Sequence, residues 1–330
     1  MSLPLLSRFP ALRALPRAEL GAFPSPVERL TGVAEGELWI KRDDLNAPVC
    51  GGNKVRALEF LLGGVRPGDS VVTVGGTGST HVLCTAVHAA RLGARTVAVR
   101  WPHDMNPVAR AVAELAAREC AEVRSAWGAA DGIARGYLLS AARRVRGVRA
   151  HWVPLGGSVP LGVLGHVNAA LELAGQVAEG ALPHPRRVVV PFGSGGTAAG
   201  LALGFAIAGL DTTLVAARVG PRIAVNRARL LRLARRTARL IERLTGAGAG
   251  SLPRPGRVEV AHQFYGGAYG RPLAAGEHAA AILHERAGLR VDATYGAKAL
   301  AAALDSARAH AGDGPTLFWL TFDARVLDGR

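Results

Sequence analysis

The chain has 330 residues, 49% of them hydrophobic and 20% charged, with a formal net charge of +15. That balance suits a globular protein of one or two domains with an ample core, and no apolar run reaches the roughly 18–20 residues of a membrane span. The opening Met1-Ser2-Leu3-Pro4-Leu5-Leu6-Ser7-Arg8 is too short and proline-broken for a secretory signal, and only Cys50, Cys84 and Cys120 occur, an odd, scattered set that argues against a disulfide framework and for a reducing cytoplasm.

Along the chain, helical patterns alternate with apolar, β-rich runs. Helices are predicted over 55–62, 80–92, 107–119, 132–145, 161–177, 198–210, 222–244, 274–286 and 297–309. Buried strands are predicted over 71–74, 96–99, 149–153, 187–190, 213–219 and 316–321. Asn106-Pro107 is a helix start, a capping residue followed by proline at the first helical position. The alternation predicts an α/β protein with mostly parallel sheets. The stretch 246–251, alternating glycine and alanine before prolines, reads as a flexible surface loop.

The positive charge is densest over 222–244, where Leu230, Leu233, Leu240 and Leu244 alternate with arginines. The pattern is an amphipathic helix without aromatic residues, so it offers no platform for stacking bases. A solvated helix face is the expectation, with an acidic partner or nucleic acid as the alternative, and arginine is spread along the whole chain in any case.

Three segments carry chemistry. In Gly51-Gly52-Asn53-Lys54 a lysine stands at the mouth of a predicted helix behind two glycines that permit close backbone approach. It is either an ordinary surface lysine or an amine whose pKa is lowered by desolvation, free to condense with an aldehyde. In Phe192-Gly193-Ser194-Gly195-Gly196-Thr197-Ala198 a strand turns tightly into a helix, where backbone N–H groups and the positive helix end suit a phosphate; a plain tight turn is the alternative. The loop is neither a Walker loop nor Gly-x-Gly-x-x-Gly, because residue 198 is alanine. In Gly75-Gly76-Thr77-Gly78-Ser79-Thr80-His81 a second strand meets a second helix; Ser79 either caps it, touches a substrate carboxylate or moves a proton, and His81 is open to a packing role.

With Phe23-Pro24-Ser25-Pro26, Lys41-Arg42-Asp43-Asp44, Arg56, Leu58-Glu59-Phe60, Leu161-Gly162, Leu164-Gly165, Tyr269-Gly270, Asp292, Tyr295 and Lys298 added in colinear order, the chain resembles the 1-aminocyclopropane-1-carboxylate deaminase and D-cysteine desulfhydrase family. The resemblance covers most of the chain. It implies a two-domain, fold type II, tryptophan-synthase-like pyridoxal phosphate enzyme, each domain an open, mostly parallel, twisted sheet flanked by helices. The large domain would comprise 1–51 and 157–330, and 52–156 would form a small inserted one. It further implies that Lys54 binds the cofactor aldehyde and shuttles protons, with Asn53 against the cofactor. Gly193, Ser194, Gly195, Gly196 and Thr197 would hold its phosphate, and Thr80 and Thr321 would adjoin the ring. Ser79 would face the substrate carboxylate, and Tyr269 and Tyr295 would position substrate or move protons. No metal is implied. The expected partners are a small amino acid and a second copy of the chain, with no nucleic acid and no membrane.

The departures from that pattern bear on mechanism. Thr80 stands where the family usually has asparagine, Gly296 where deaminases have glutamate, and Phe322-Asp323 where two glycines follow Thr321. Without the glutamate the pyridine nitrogen lacks a carboxylate, unless Asp323 supplies one, and the cofactor becomes a weaker electron sink. This favours loss of a β-substituent, giving a keto acid and ammonia, over opening of a cyclopropane. A replacement or isomerisation reaction, or a protein that kept the fold as a binding module, are the alternatives.

Overall fold

The structure, a computed structural model, describes residues 3–327. In chain order its strands are β1 (Val27–Arg29), β2 (Leu38–Arg42), β3 (Ser70–Gly76), β4 (Arg95–Trp101), β5 (Glu122–Ser125), β6 (Ala150–Val153), β7 (Arg187–Phe192), β8 (Thr213–Arg218), β9 (Val258–Ala261) and β10 (Thr316–Leu320). Its helices are α1 (Pro4–Arg8), α2 (Asn53–Leu61), α3 (Thr80–Arg91), α4 (Pro107–Glu119), α5 (Ala129–Val145), α6 (Pro160–Ala178), α7 (Gly196–Ala208), α8 (Arg227–Thr245), α9 (Ala274–Ala287) and α10 (Gly296–Ala309).

The strands form two sheets, one in the order β5-β4-β3-β6 and one in the order β1-β2-β10-β7-β8-β9. Every pairing is parallel except β1 with β2. Parallel strands need helical crossovers, which cover both faces and leave the strands inside. β3 is accordingly buried at every position, and the register Val72↔Val97 and Val72↔Trp152 places it between β4 and β6. β10 is buried throughout between β2 and β7.

Each sheet has a point where the chain order reverses. In the smaller sheet β4 and β5 extend to one side of β3, and β6 returns to the other. In the larger, β8 and β9 extend to one side of β7, and β10 returns to the other. Strand carboxyl ends beside such reversals open crevices, because the flanking helices leave on opposite faces.

Helix α2, which carries Lys54, is anchored by charge as well as by packing. Arg56 donates to Asp43 at 2.7 and 2.8 Å and to Glu172 on α6 at 2.9 and 3.0 Å, while Lys41 reaches Glu172 Oε1, Gln176 Oε1 and Ser25 O at 2.6 Å each. Lys41, Asp43 and Arg56 are no more than 1% exposed. Two cations and two carboxylates balance, which is the condition under which buried charges are tolerated. A Cβ at Gly165 of α6 would meet Arg56 O at 1.9 Å, so the α2–α6 contact needs glycine there.

Two expectations about local structure change. The basic helix begins at Arg227 rather than at 222, because Asn226 caps it, its side chain accepting from Arg229 N–H. Its core-facing residues are Leu230, Ala234, Thr237, Ala238 and Ile241, while Arg232, Arg235, Arg236, Arg239 and Arg243 are exposed, so the arginine-rich face is solvated. The short strands β1, β2, β5 and β9 lie outside the predicted set. No helix among the described residues is long and apolar enough to cross a membrane.

Candidate active site

The two order reversals face one cavity of about 550 Å³. The loop after β3 contributes Ser79 and Thr80, the turn after β6 Gly156 and Ser158, the turn after β7 residues 193–197, and the end of β10 Thr321 and Phe322. Asn53, Lys54, Tyr269 and Tyr295 complete its inner part, so every site residue singled out in the sequence borders the same space.

Gly52 precedes α2 with φ of +131°, and a Cβ there would meet Thr321 O at 2.3 Å. Only glycine lets the chain pass so near the end of β10, where Asn53 N–H donates to Thr321 O at 3.1 Å. Lys54, one residue on, is half-buried, and desolvation lowers its amine from 10.5 to about 8. His81 is packed, as one reading of the sequence had it: its Nε2 lies 3.1 Å from Thr73 Oγ1, and burial, then the neighbouring Lys54, lowers it to about 3, so the ring is neutral. Cys50 and Cys84 lie alongside as free thiols, their sulfurs 2.9 Å apart.

The turn after β7 closes through Gly195 at φ of +93° and opens α7 at Gly196. A helix leaves its first N–H groups without partners inside the helix, and they point out of its N-terminus. Gly196 N–H donates to Ser158 Oγ at 3.0 Å, and Ser158 Oγ donates to Ser194 Oγ at 2.7 Å. A Cβ at Gly196 would lie 2.7 Å from Ser158 Oγ, so a side chain at position 196 would crowd this small polar nest. Asn53 Nδ2 donates to Thr197 Oγ1 at 2.7 Å and joins the lysine's helix to the nest. The second helix N-terminus in the cavity is that of α3. Ser79 occupies its capping position, yet its side chain makes no capping hydrogen bond, and both Ser79 and Thr80 line the cavity.

Tyr269 and Tyr295 share a hydrogen bond between their hydroxyls at 2.5 Å. Desolvation raises Tyr269 to about 12 and Tyr295 well above its usual value, so both phenols carry their protons at neutral pH. They are donors rather than resting bases. The pair is held from several sides. Asp292 accepts from the N–H groups of Thr294, Tyr295 and Gly296 at 2.8–3.0 Å. His103 stacks edge-on against Tyr269 at 4.8 Å, its Nε2 accepting from Gly78 N–H. Asn106, which caps α4 through Oδ1, donates from Nδ2 to Gly270 O at 2.8 Å and Thr294 Oγ1 at 2.9 Å.

Asp323, the candidate for a charge beside the ring, is engaged by a neighbouring arginine. Its carboxylate accepts from Arg325 Nε at 2.7 Å and Nη2 at 3.1 Å, and it does not line the cavity. Gly296 does not line it either; a Cβ there would meet Val291 Cβ at 2.9 Å. Among the described residues no carboxylate borders the cavity.

Ser158, His103 and Asn106 lay outside the sequence reading as site residues. The one signal for Ser158 was the run Leu155-Gly156-Gly157-Ser158 at the carboxyl end of a predicted strand, where ligands collect. For His103 and Asn106 no local signal exists beyond the helix cap.

The comparisons agree with this geometry. The profile of the family described as pyridoxal-phosphate dependent enzyme matches residues 18–321, and the chain belongs to that family. It is 39% identical over 321 residues to a nocardicin C-9' epimerase of Nocardia uniformis subsp. tsuyamanensis, with 94% of each chain covered. It is 32% identical over 331 aligned residues to a D-cysteine desulfhydrase of Salmonella choleraesuis, with 96% of each covered. Among solved structures it superposes on a homologue of 1-aminocyclopropane-1-carboxylate deaminase with a TM-score of 0.81 at 26% identity, covering 98% of this chain and 95% of that one. A threonine deaminase shares the fold at a TM-score of 0.63 and 20% identity. The protein is thus a pyridoxal phosphate-dependent enzyme with the fold type II architecture.

The residues present fit the coenzyme. One amine of lowered pKa lies in the same cavity as a helix N-terminus lined by glycines and hydroxyl side chains, which provides a covalent anchor and an anion anchor.

Proposed function

We propose that this enzyme removes the α-proton of an amino acid and expels a substituent from its β-carbon, releasing a keto acid and ammonia. The observation that carries the reading is a lysine amine near pKa 8 in one cavity with two protonated, hydrogen-bonded tyrosines. Lys54 would hold pyridoxal phosphate at rest and give it up to the incoming amino group, and the coenzyme would then withdraw electrons from the amino acid's α-carbon. In this reading residues 193–197 and Ser158 hold the phosphate. Ser79, Thr80 and the N-terminus of α3 hold the substrate carboxylate. The Lys54 amine so freed would take the α-proton, and the tyrosine pair would return a proton to the departing atom. The bond from the β-carbon to its substituent breaks with its electron pair, and water converts the resulting enamine to keto acid and ammonia. With no carboxylate lining the cavity, nothing there would hold a positive charge on a ring nitrogen, so a leaving group is the natural destination for the electron pair.

A second reading, epimerisation, is favoured by the 39% identical epimerase and by the presence of two separate proton carriers. Here the tyrosine pair would return the proton to the α-carbon itself. One experiment separates the two. The holoenzyme is incubated in deuterium oxide with D- and L-amino acids bearing β-leaving groups. Keto acid and ammonia support elimination; recovery of deuterated substrate of inverted configuration supports epimerisation. Absence of both, with an unexchanged α-proton, would falsify the shared reading.

We further take 52–156 as a small domain and the remaining segments as a large one. The strands of the smaller sheet all fall within 52–156, which supports that division. A cytoplasmic setting is inferred from the three free cysteines and a homodimer from the family resemblance; light scattering tests the dimer.

A further inference from the structure

We propose that the outer part of the cavity is a subsite for a long substrate: an α-amino acid whose side chain carries a ring-sized apolar extension with an anionic end. The proposal rests on the preceding reading, in which the amino acid's own α-carbon is handled beside Lys54.

The cavity runs from a closed end to an open mouth. Asn53, Ser79, Thr80 and Thr321 at the inner end are each no more than 8% exposed. Ala129, Ile133, Pro221, Ala224 and Arg229 line the same cavity and are exposed. A compact amino acid seated among the inner groups has nothing to offer this rim.

The mouth has apolar walls from both sheets' surroundings. On one side Trp101, at the end of β4, lies against α5; a Cβ at Gly132 would meet its ring at 2.6 Å, so glycine is what lets the indole rest there. Ile133 follows on the same helix. On the other side Pro221, Ala224 and Val225 precede α8. Two further apolar side chains, Trp127 and Ile223, are 88% and 86% exposed and adjoin the two lips in sequence. Flat, apolar walls of this kind suit an aromatic or similar ring.

The charge at the mouth is one-sided. Arg229 makes no side-chain hydrogen bond or ion pair among the described residues. It sits in the first turn of α8, where a cation meets the positive helix end and no acidic residue offsets it. With no carboxylate in the lining, the complementary group is an anion brought by the ligand.

The test uses holoenzyme and three substrates in each configuration: cysteine, S-benzylcysteine and S-(4-carboxybenzyl)cysteine. α-Proton exchange in deuterium oxide is followed by NMR, since elimination and epimerisation share that step. We expect kcat/KM to rise about ten-fold with the ring and about ten-fold again with its carboxylate. Gly132→Ala, which displaces Trp101, reduces the first gain, and Arg229→Gln abolishes the second. A readout free of turnover is calorimetric binding of 4-ethylbenzoate, which has no amino group, with at least ten-fold weaker binding in Arg229→Gln. Exchange at equal kcat/KM on all three substrates overturns the subsite and leaves the proposed function standing. Absence of exchange with any substrate, together with Arg229-dependent binding of 4-ethylbenzoate, overturns the proposed function and keeps the subsite.

Discussion

The hydroxyls of Tyr269 and Tyr295 lie 2.5 Å apart, although the two residues come from different loops of the larger sheet's half. Each phenol keeps its proton because desolvation opposes a charged oxygen. One hydroxyl donates to the other and leaves a single O–H to face a ligand, and the lysine of lowered pKa in the same cavity is its natural counterpart.

Tyr295→Phe and Tyr269→Phe should each lower turnover by about 10²–10⁴-fold, the usual worth of a positioned acid or base. Because the two act through one hydrogen bond, the double variant should be little worse than either single one. Steady-state rates, with the cofactor's visible absorbance as a check on binding, decide the matter. Multiplicative losses would show that the two phenols work independently.

Asn106 ties the segment before α4 to the carbonyl of Gly270 and the hydroxyl of Thr294, the chain neighbours of the two tyrosines. Asn106→Asp keeps the acceptor that caps α4 but loses the amide donor to Gly270 O and Thr294 Oγ1. Thermal stability should fall by no more than about 1–3 kcal/mol, the worth of a buried acceptor left unpaired. kcat should fall at least ten-fold with cofactor binding retained. Equal loss of cofactor affinity and kcat would instead point to general disruption of the fold.

Lys54 should react with an aldehyde in proportion to its neutral fraction. Its amine titrates near 8, so trapping of pyridoxal phosphate by borohydride on cofactor-free protein should reach half its maximal rate near pH 8. Below that the rate should fall about ten-fold per pH unit. Lys54→Ala should trap nothing at the corresponding peptide. A midpoint near 10.5 would make this an ordinary surface lysine.

The buried cluster around Arg56 should make folding sensitive to acid. Burial alone would raise the carboxyls of Asp43 and Glu172, but Arg56 and then Lys41 outweigh it and hold both below their usual values. A depressed carboxylate contributes stability above its unfolded value, near pH 4, and loses it as pH falls through the folded value. Denaturant midpoints should therefore drop below about pH 4. At pH 7 Arg56→Ala leaves two buried carboxylates short of a partner and should cost about 3–5 kcal/mol. A variant of wild-type stability, with an acid transition equal to the parent's, would remove the cluster from the energetics of α2.

Much of the architecture was legible because its signals are local. The apolar run around Val72 and the 3.6-residue patterns of α3, α4 and α10 are set by neighbours along the chain. The strands β1, β2, β5 and β9 escaped for a reason each shares. They are three to five residues long and, unlike the equally short β6 and β10, each carries Glu, Lys or Arg; in β2 the charges of Lys41-Arg42 look solvated until Glu172 and Asp44 are brought against them.

Residue order alone was enough to select Lys54, behind two glycines at a helix mouth, and the glycine-rich turn at 193–197 as candidates, while the two tyrosines were named by the family resemblance. It was also enough to predict alternating helices and buried parallel strands. Three matters depended on contacts between distant segments. Asp323 turns to Arg325 and away from the cavity. Ser158 completes the nest after β7. His103 packs on Tyr269, and Asn106 bonds the neighbours of both tyrosines, across more than 160 residues of chain. A side chain's chemical type is written in the chain, but the partners that set its charge, orientation and solvation are chosen when order reversals in two sheets bring remote loops to one crevice.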